Sequence, residues 1–389
     1  MAIAATSMVG ADPRDGNTLR VEFADGVITA VRHEPKAADA ASCWLSSGLV
    51  DLQVNGFRGH DLNGPDLMPA TVHELARTLL SDGVTTFLPT FITASEPQLI
   101  AGLKAAQQAR LDYPLVHRMV PCVHVEGPSI SPEPGPRGAH PPAHVRSPSV
   151  DEFLRWQDAS GDLVGLVTLS PHWPESVAYI RALTAAGVHV ALGHTTASAE
   201  QIAAAVDAGA VLSTHLGNGS HSHIHRRNNA LWPQLSNDGL CASFIADGHH
   251  LSPHLLQVML RAKGLSRSLI VSDVTAIGGM APGHYDASVG GPVILAANGH
   301  LTMNDGTGQF LAGAALPLIA GVATLVRESG LRLHDALDLA SVNPGRWVGG
   351  RGRLEPGAPA DLIRFEWDGM AQVPHVTDVW LQGEQVYRA

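Results

Sequence analysis

Residues 188–218 read VHVALGHTTASAEQIAAAVDAGAVLSTHLGN, which parses as strand, helix, strand. His189–Leu192 is a short apolar run. Ser198 followed by Gln201 makes a capping box, Ile202 and Val206 fall on one helical face, and Gly209 stands where a helix should stop. A second apolar run, Ala210–Leu212, follows. Both runs lead to the same kind of residue, His194 in GHTT and His215 in STHLGN. In parallel β/α architecture the carboxyl ends of strands face the active site, so two imidazoles from neighbouring strand ends can share one metal ion. Taken singly, each reads as an ordinary core or loop histidine. The pair in register brings the metal reading forward.

Working outward, apolar runs recur at Leu49–Val54, Val84–Phe91, Met119–Val125, Leu163–Leu169, Cys241–Ala246 and Leu269–Val271, making eight with the two above. Helix-like segments lie between most of them, at 71–82, 96–110, 150–159, 175–186, 199–208 and 252–263, with two more at 312–329 and 333–341. Eight strands alternating with helices predict a (β/α)8 TIM barrel, a fold of typically ~250 residues before insertions. The competitor is a doubly wound open sheet, but no glycine-rich dinucleotide fingerprint follows the first run.

The two ends have a different texture. Residues 18–33, TLRVEFADGVITAVRH, alternate about Asp25-Gly26 as a hairpin does. Leu362–Glu366 and Asp378–Tyr387, with Gln382-Gly383-Glu384 as a turn, read as strands again. The expectation is therefore one small β-sandwich made from residues 1–48 and 345–389, beside a barrel over 49–344. The Pro/Gly-rich stretch Ser131–Pro142 is a long loop after the third run, and such loops are usually functional.

With 36 Asp+Glu against 25 Lys+Arg among 389 residues, the acidic balance argues against a nucleic-acid surface. Three irregularly spaced cysteines imply no disulfide framework, and the default setting is cytoplasmic. The first residues lack the pattern of a signal peptide, and Phe310–Val326, uncharged but interrupted by Pro317, suits a buried helix better than a membrane span. A soluble protein without membrane partners is expected.

Glu126 closes the third apolar run, where an unpaired carboxylate is expensive to bury. Asp273 holds the equivalent place after the eighth. Each could be half of a salt bridge inside the barrel; a cation is the other partner that would suit them. Glu126, His194 and His215 together make an O/N/N ligand set that leaves one position for water, as in catalytic zinc sites. Asp273 is then the natural proton shuttle.

The motifs VHVEGP, GHTTA, THLGN, ADGHH and VSDVT, in this order, resemble those of the N-acetylglucosamine-6-phosphate deacetylases of the amidohydrolase superfamily. So do SSGLVDLQVNG at the first strand, RGAH in the long loop, FLAG at 310–313 and the tail NPGRWVG…GRLEPGAPADL. The resemblance implies the barrel with a flanking sandwich, a homodimer, and hydrolysis of the acetamido group of an amino sugar phosphate. It makes Glu126, His194 and His215 the metal ligands and Asp273 the acid/base. One divalent ion is implied, zinc first on ligand chemistry, with iron(II), manganese or cobalt fitting the same donors.

By the same motifs, Ala139, His140, Asn218, Gly219, His250, Leu311, Ala312 and Gly313 would line the sugar site, His140 also helping to stabilise the oxyanion. Many amidohydrolases open with His-x-His and hold two metals, whereas this chain has Gln53 and Asn55 there. These amides either serve the substrate or hydrogen-bond within the barrel floor. Counting from His215 puts Arg226 at the family's phosphate-binding arginine, with Arg227 one residue on; a guanidinium fork suits a phosphate. The surrounding HSHIHRRNNALW departs from the pattern. His221, His223 and His225 could add charge near a phosphate, form a solvated loop, or bind metal. The alternative substrate is an unphosphorylated N-acyl sugar or N-acyl amino acid, and a sugar-sensing protein on a retired barrel would be expected to have lost ligands or base.

Overall fold

The computed structural model describes residues 6–35, 43–306 and 310–389. Eight parallel strands run in sequence order: β1 Leu49–Val54, β2 Val84–Ile92, β3 Val123–Glu126, β4 Val164–Leu169, β5 His189–Leu192, β6 Ala210–Ser213, β7 Cys241–Ile245 and β8 Ser268–Val271. Just past β8 the barrel closes on β1, where Val54 bridges Val274 and the Asp273 N–H donates to the Gln53 carbonyl at 3.0 Å. Asp51 reinforces this seam by accepting from the Ser272 N–H at 3.1 Å, and its burial pushes the carboxyl up to about 7. Inward-facing Val50, Leu52, Leu88, Leu166, Ala191, Leu212, Ile245 and Leu269 fill the interior below the mouth, so the barrel is packed and its chemistry is confined to the carboxyl rim.

The helices that cover the strands largely follow the apolar periodicity: Pro69–Leu80, Glu96–Asp112, Val150–Ser160, Ser176–Ala185, Ala199–Asp207, Pro253–Lys263 and Leu318–Ser329. Ser198 and Gln201 form the full reciprocal capping box. The structure differs from the sequence expectation in four places. Met119 ends a short helix, Pro114–Met119, that Pro114 starts, so β3 begins only at Val123. The helix expected from 312 begins at Leu318, directly after Pro317. A six-residue helix, Leu231–Ser236, follows β6, too short and too interrupted by Pro233 to leave a periodic signal. Between β8 and its helix an insert of three antiparallel strands appears, Gly283–Ala287, Gly291–Leu295 and Leu301–Met303, around Ile277, Val293, Leu295, Leu301 and Ala312.

The two ends of the chain share one sheet of seven strands, in the order 384–388, 375–381, 362–366, 44–47, 6–11, 18–24, 27–34. Asp25 and Gly26 make the hairpin turn with φ of 50° and 79°, the left-handed pair that such a turn requires. The sheet curls back on itself. Ile28 N–H donates to Ala358 O at 2.9 Å, closing the sheet over Met8, Leu19, Val21, Phe23, Leu45 and Leu362.

Lys263 is 1 % exposed, and its Nζ donates to the carbonyls of Gln234 at 2.8 Å and Asn237 at 2.7 Å, capping the end of helix 231–236. Removing the ammonium strands those buried acceptors, at a cost of about 1–3 kcal/mol. Lys263→Met should therefore lower stability by that amount in urea unfolding, and an unchanged midpoint would refute the capping role.

Candidate active site

Glu126 is the last residue of β3, while His194, His215 and Asp273 stand just beyond β5, β6 and β8. At the last three the backbone turns left-handed, with φ of 49°, 29° and 53°. Non-glycine residues in that region cost of order 1–3 kcal/mol each and persist where the surroundings hold them there. The turn redirects each side chain across the top of the barrel.

The side chains converge. Glu126 Oε1 lies 2.9 Å from His215 Nε2 and 3.2 Å from His194 Nε2, and the two Nε2 atoms are 3.1 Å apart. His194 Nδ1 donates to the Pro136 carbonyl at 2.7 Å, so the lone pair of the neutral ring sits on Nε2, facing the other two donors. Two neutral imidazoles aimed this way repel unless a proton or a cation sits between them. Three buried N, N and O donors on one point fit a divalent metal, and Gln53 Nε2 steadies the carboxylate by donating to Oε1 at 3.1 Å. Glu126, His140 and His194 also offer atoms all within 4.8 Å of one another. His140 Nε2 stands 3.9 Å from Glu126 Oε2, farther than the donors of the tighter trio.

The electrostatics follow from burial. Desolvation opposes ionisation of Glu126, but the His194 and His215 rings beside it outweigh that and hold the carboxyl well below its usual range. Burial depresses His215, yet its bond to Glu126 more than compensates and raises it. Burial, then the charge of His194, pushes His140 down to about 3, leaving it neutral. Burial pushes Asp273 up to about 6, against the charge of His215. Asn55 Nδ2 donates to Asp273 Oδ1 at 2.8 Å and fixes its orientation.

Above this centre opens a cavity of about 460 Å³, lined by Glu126, His194, His215 and Asp273 and by eight more residues singled out in the sequence: Asn55, Ala139, His140, Asn218, Gly219, His250, Leu311 and Gly313. A side chain at Gly219 would meet His194 Nδ1 at 2.8 Å, so the glycine lets the wall come close to the ligand. Four of the singled-out residues lie off the cavity. Gln53 is buried beside Glu126, Ala312 belongs to the core of the insert, and Arg226 and Arg227 are exposed on the loop after β6. His221 lines the mouth with its Nε2 3.1 Å from Glu133 Oε2, while His223 and His225 line a separate pocket beside it. Thr93, His249, His300 and Phe310 were not expected. Thr93 Oγ1 sits 2.9 Å from His140 Nδ1, and the other three line the mouth. His249 stood beside a recognised residue in ADGHH and Phe310 opened the recognised FLAG, but the sequence carried no signal for Thr93 or His300.

The sequence pattern of the amidohydrolase family matches residues 44–386. The chain belongs to the amidohydrolase family. Within this family it is 34 % identical over 365 residues to N-acetylglucosamine-6-phosphate deacetylase of Bos taurus, covering 90 % of this chain and 85 % of that protein. It is 30 % identical over 380 residues to N-acetylgalactosamine-6-phosphate deacetylase of Escherichia coli, covering 95 % and 94 %. Among solved structures, a variant of the Mycobacterium smegmatis N-acetyl-D-glucosamine-6-phosphate deacetylase in complex with N-acetyl-D-glucosamine-6-phosphate superposes with a TM-score of 0.86. It shares 27 % identity and covers 99 % of this chain and 100 % of that one. The Thermotoga maritima N-acetylglucosamine-6-phosphate deacetylase superposes with a TM-score of 0.84, also at 27 % identity. The (β/α)8 barrel with a sheet from both chain ends is thus the architecture of this amidohydrolase.

Proposed function

We propose that the chain hydrolyses the acetamido group of an N-acetyl amino sugar 6-phosphate, N-acetylglucosamine-6-phosphate or a close relative, giving acetate and the amino sugar phosphate. The convergence of Glu126, His194 and His215 beneath a cavity that Asp273 and His140 also line carries this reading. When bound, a divalent ion polarises the amide carbonyl and acidifies water. Zinc suits the donors best, with iron(II), manganese or cobalt as alternatives. Glu126, His194 and His215 would hold it. Asp273, fixed by Asn55, takes a proton from the attacking water as the new C–O bond forms. His140 donates to the carbonyl oxygen as negative charge builds there. The C–N bond then breaks, and Asp273 returns its proton to the departing amine.

For His140 to donate from Nε2 while neutral, its Nδ1 must accept, and the Thr93 hydroxyl is placed to supply that hydrogen bond. Thr93→Val should lower kcat roughly 10- to 100-fold, toward the range for losing an oxyanion donor. Metal content should hold and Thr93→Ser should recover most of the rate. Equal rates in the Val and Ser variants would rule out this role.

One observation favours the unphosphorylated alternative: among the described residues no arginine or lysine lines the cavity. A guanidinium from Arg226 or Arg227 would have to come from a second copy, and we propose a homodimer on that ground, to be measured by light scattering. Three free thiols accord with a cytoplasmic setting, and no helix among the described residues is long and apolar enough to cross a membrane. Acetate release from phosphorylated and unphosphorylated N-acetylglucosamine and N-acetylgalactosamine, on enzyme stripped and reloaded with each metal, tests the reading. No release from any of them would end it.

A further inference from the structure

We infer that His124, Thr168 and Thr214 are positioning residues of the metal centre: a hydrogen-bonded layer across the barrel interior, directly below the ligands, that sets how Glu126, His194 and His215 stand to one another. The inference takes the ligand role of these three from the function proposed above. His124 is 1 % exposed and lies two residues before Glu126 on β3, so both side chains face the barrel interior. Its Nδ1 lies 3.2 Å from the Leu52 carbonyl, which can only accept, so Nδ1 carries the proton of the neutral ring. Nε2 then accepts from the Thr168 hydroxyl at 2.8 Å, and Thr168 Oγ1, its proton spent, accepts from the Thr214 hydroxyl at 2.6 Å. Every proton in the chain thus has one direction, from the end of β6 through β4 and β3 to β1.

Each link is tied to a residue of the centre. Leu52 precedes Gln53, whose amide donates to Glu126 Oε1 at 3.1 Å. Thr168 is the register partner of Glu126, and its carbonyl accepts from the Gly127 N–H at 2.9 Å. Thr214 directly precedes His215. Between β4 and β6 lies β5, which offers Gly193, the residue before His194. A Cβ there would come within 2.9 Å of Thr214 Cβ and 3.0 Å of Thr168 Cγ2, so the glycine is what lets the two threonines meet. Barrel interiors are filled mainly by branched apolar side chains, as this one is at Leu166 and Leu212, two residues before Thr168 and Thr214. A buried hydrogen-bonded pair adds little net stability over apolar groups of the same shape. What it adds is geometry, since a fully satisfied buried network specifies one arrangement. An ion whose donors come from three separate strands needs that.

The test uses full-length protein stripped of metal and reloaded with cobalt(II), whose visible absorption reports the geometry of its ligands, beside zinc affinity by chelator competition. Thr168→Val keeps the shape and removes the hydroxyl that joins both neighbours, whereas Thr168→Ser keeps the hydroxyl. T168V should shift the cobalt absorption and weaken zinc about tenfold, the low end of what outer partners of metal ligands are worth. On N-acetylglucosamine-6-phosphate kcat should fall about tenfold and KM change less than about twofold, since no group that touches substrate is altered. T168S should recover all of these. Val167→Ala opens a gap on the opposite face of the same strand and should cost stability while leaving the cobalt spectrum as it was. Thr214→Val breaks only the last link and carries the test if T168V does not fold. A spectrum and a zinc affinity unchanged by the loss of the hydroxyl, or moved as far by V167A, would overturn the inference. A wild type that binds cobalt but hydrolyses no N-acetyl amino sugar ends the deacetylase reading alone, and the spectrum still decides the role of the layer. A wild type that binds no cobalt overturns both.

Discussion

Asp273→Asn should leave the metal in place and lower kcat by roughly 10²–10⁴, the usual worth of a general acid–base group. The substitution keeps shape and keeps an oxygen that can accept from Asn55 Nδ2, now 2.8 Å from the carboxylate. What it removes is the capacity to carry a proton. Asp273 is buried at the cavity wall, and burial has already raised its affinity for a proton to about 6, closer to the working pH than an exposed carboxyl. The same group must accept from water and give to the amine, so both halves of the reaction depend on it. KM should change little, because the amide that replaces it is as large and as polar. Full metal occupancy together with more than a tenth of the wild-type turnover would show that some other group moves the protons.

Glu126→Gln should abolish metal binding and activity together. Its Oε1 is the atom nearest both imidazoles, at 2.9 and 3.2 Å, and an amide there is a neutral and poor ligand for a transition metal. Elemental analysis should find about one ion per wild-type chain and almost none per variant. A ligand that binds only the folded state stabilises it by about 4 kcal/mol at a thousandfold excess over its Kd. Added metal should therefore raise the melting temperature of stripped wild-type protein and leave the variant where it was. Chelation should cost the wild type what the substitution costs, and applying both should cost no more. A variant that keeps its ion would show that Glu126 is not a required ligand.

The barrel was legible because its strands are buried on both faces and read as unbroken apolar runs; β1 and β5 have the bounds expected of them. Glu126, His194, His215 and Asp273 were legible because polar residues that end such runs have nowhere to go but the rim. The insert was not. Its strands are three to five residues long and rich in glycine, with too little alternation to signal a sheet. That loss hid His300, because a residue on an unrecognised element has no predicted direction. Thr93 escaped for another reason: which buried hydroxyl meets which imidazole is decided by tertiary packing between β2 and the long loop. Arg226 was placed by counting along a segment of irregular loop, where register no longer fixes where a side chain points.

The terminal sheet has a consequence for biosynthesis. Strand 44–47, which feeds directly into the barrel, pairs with 362–366, a strand that follows the whole barrel in the sequence. A ribosome must add about 300 further residues before that partner exists. Pairings so distant in sequence form slowly, and an unpartnered strand edge is prone to aggregation while it waits. The nascent enzyme therefore passes through a stage in which its catalytic strands are assembling but its clasp cannot yet fasten. Shielding of that early edge by a chaperone should matter more to yield than anything at the metal centre.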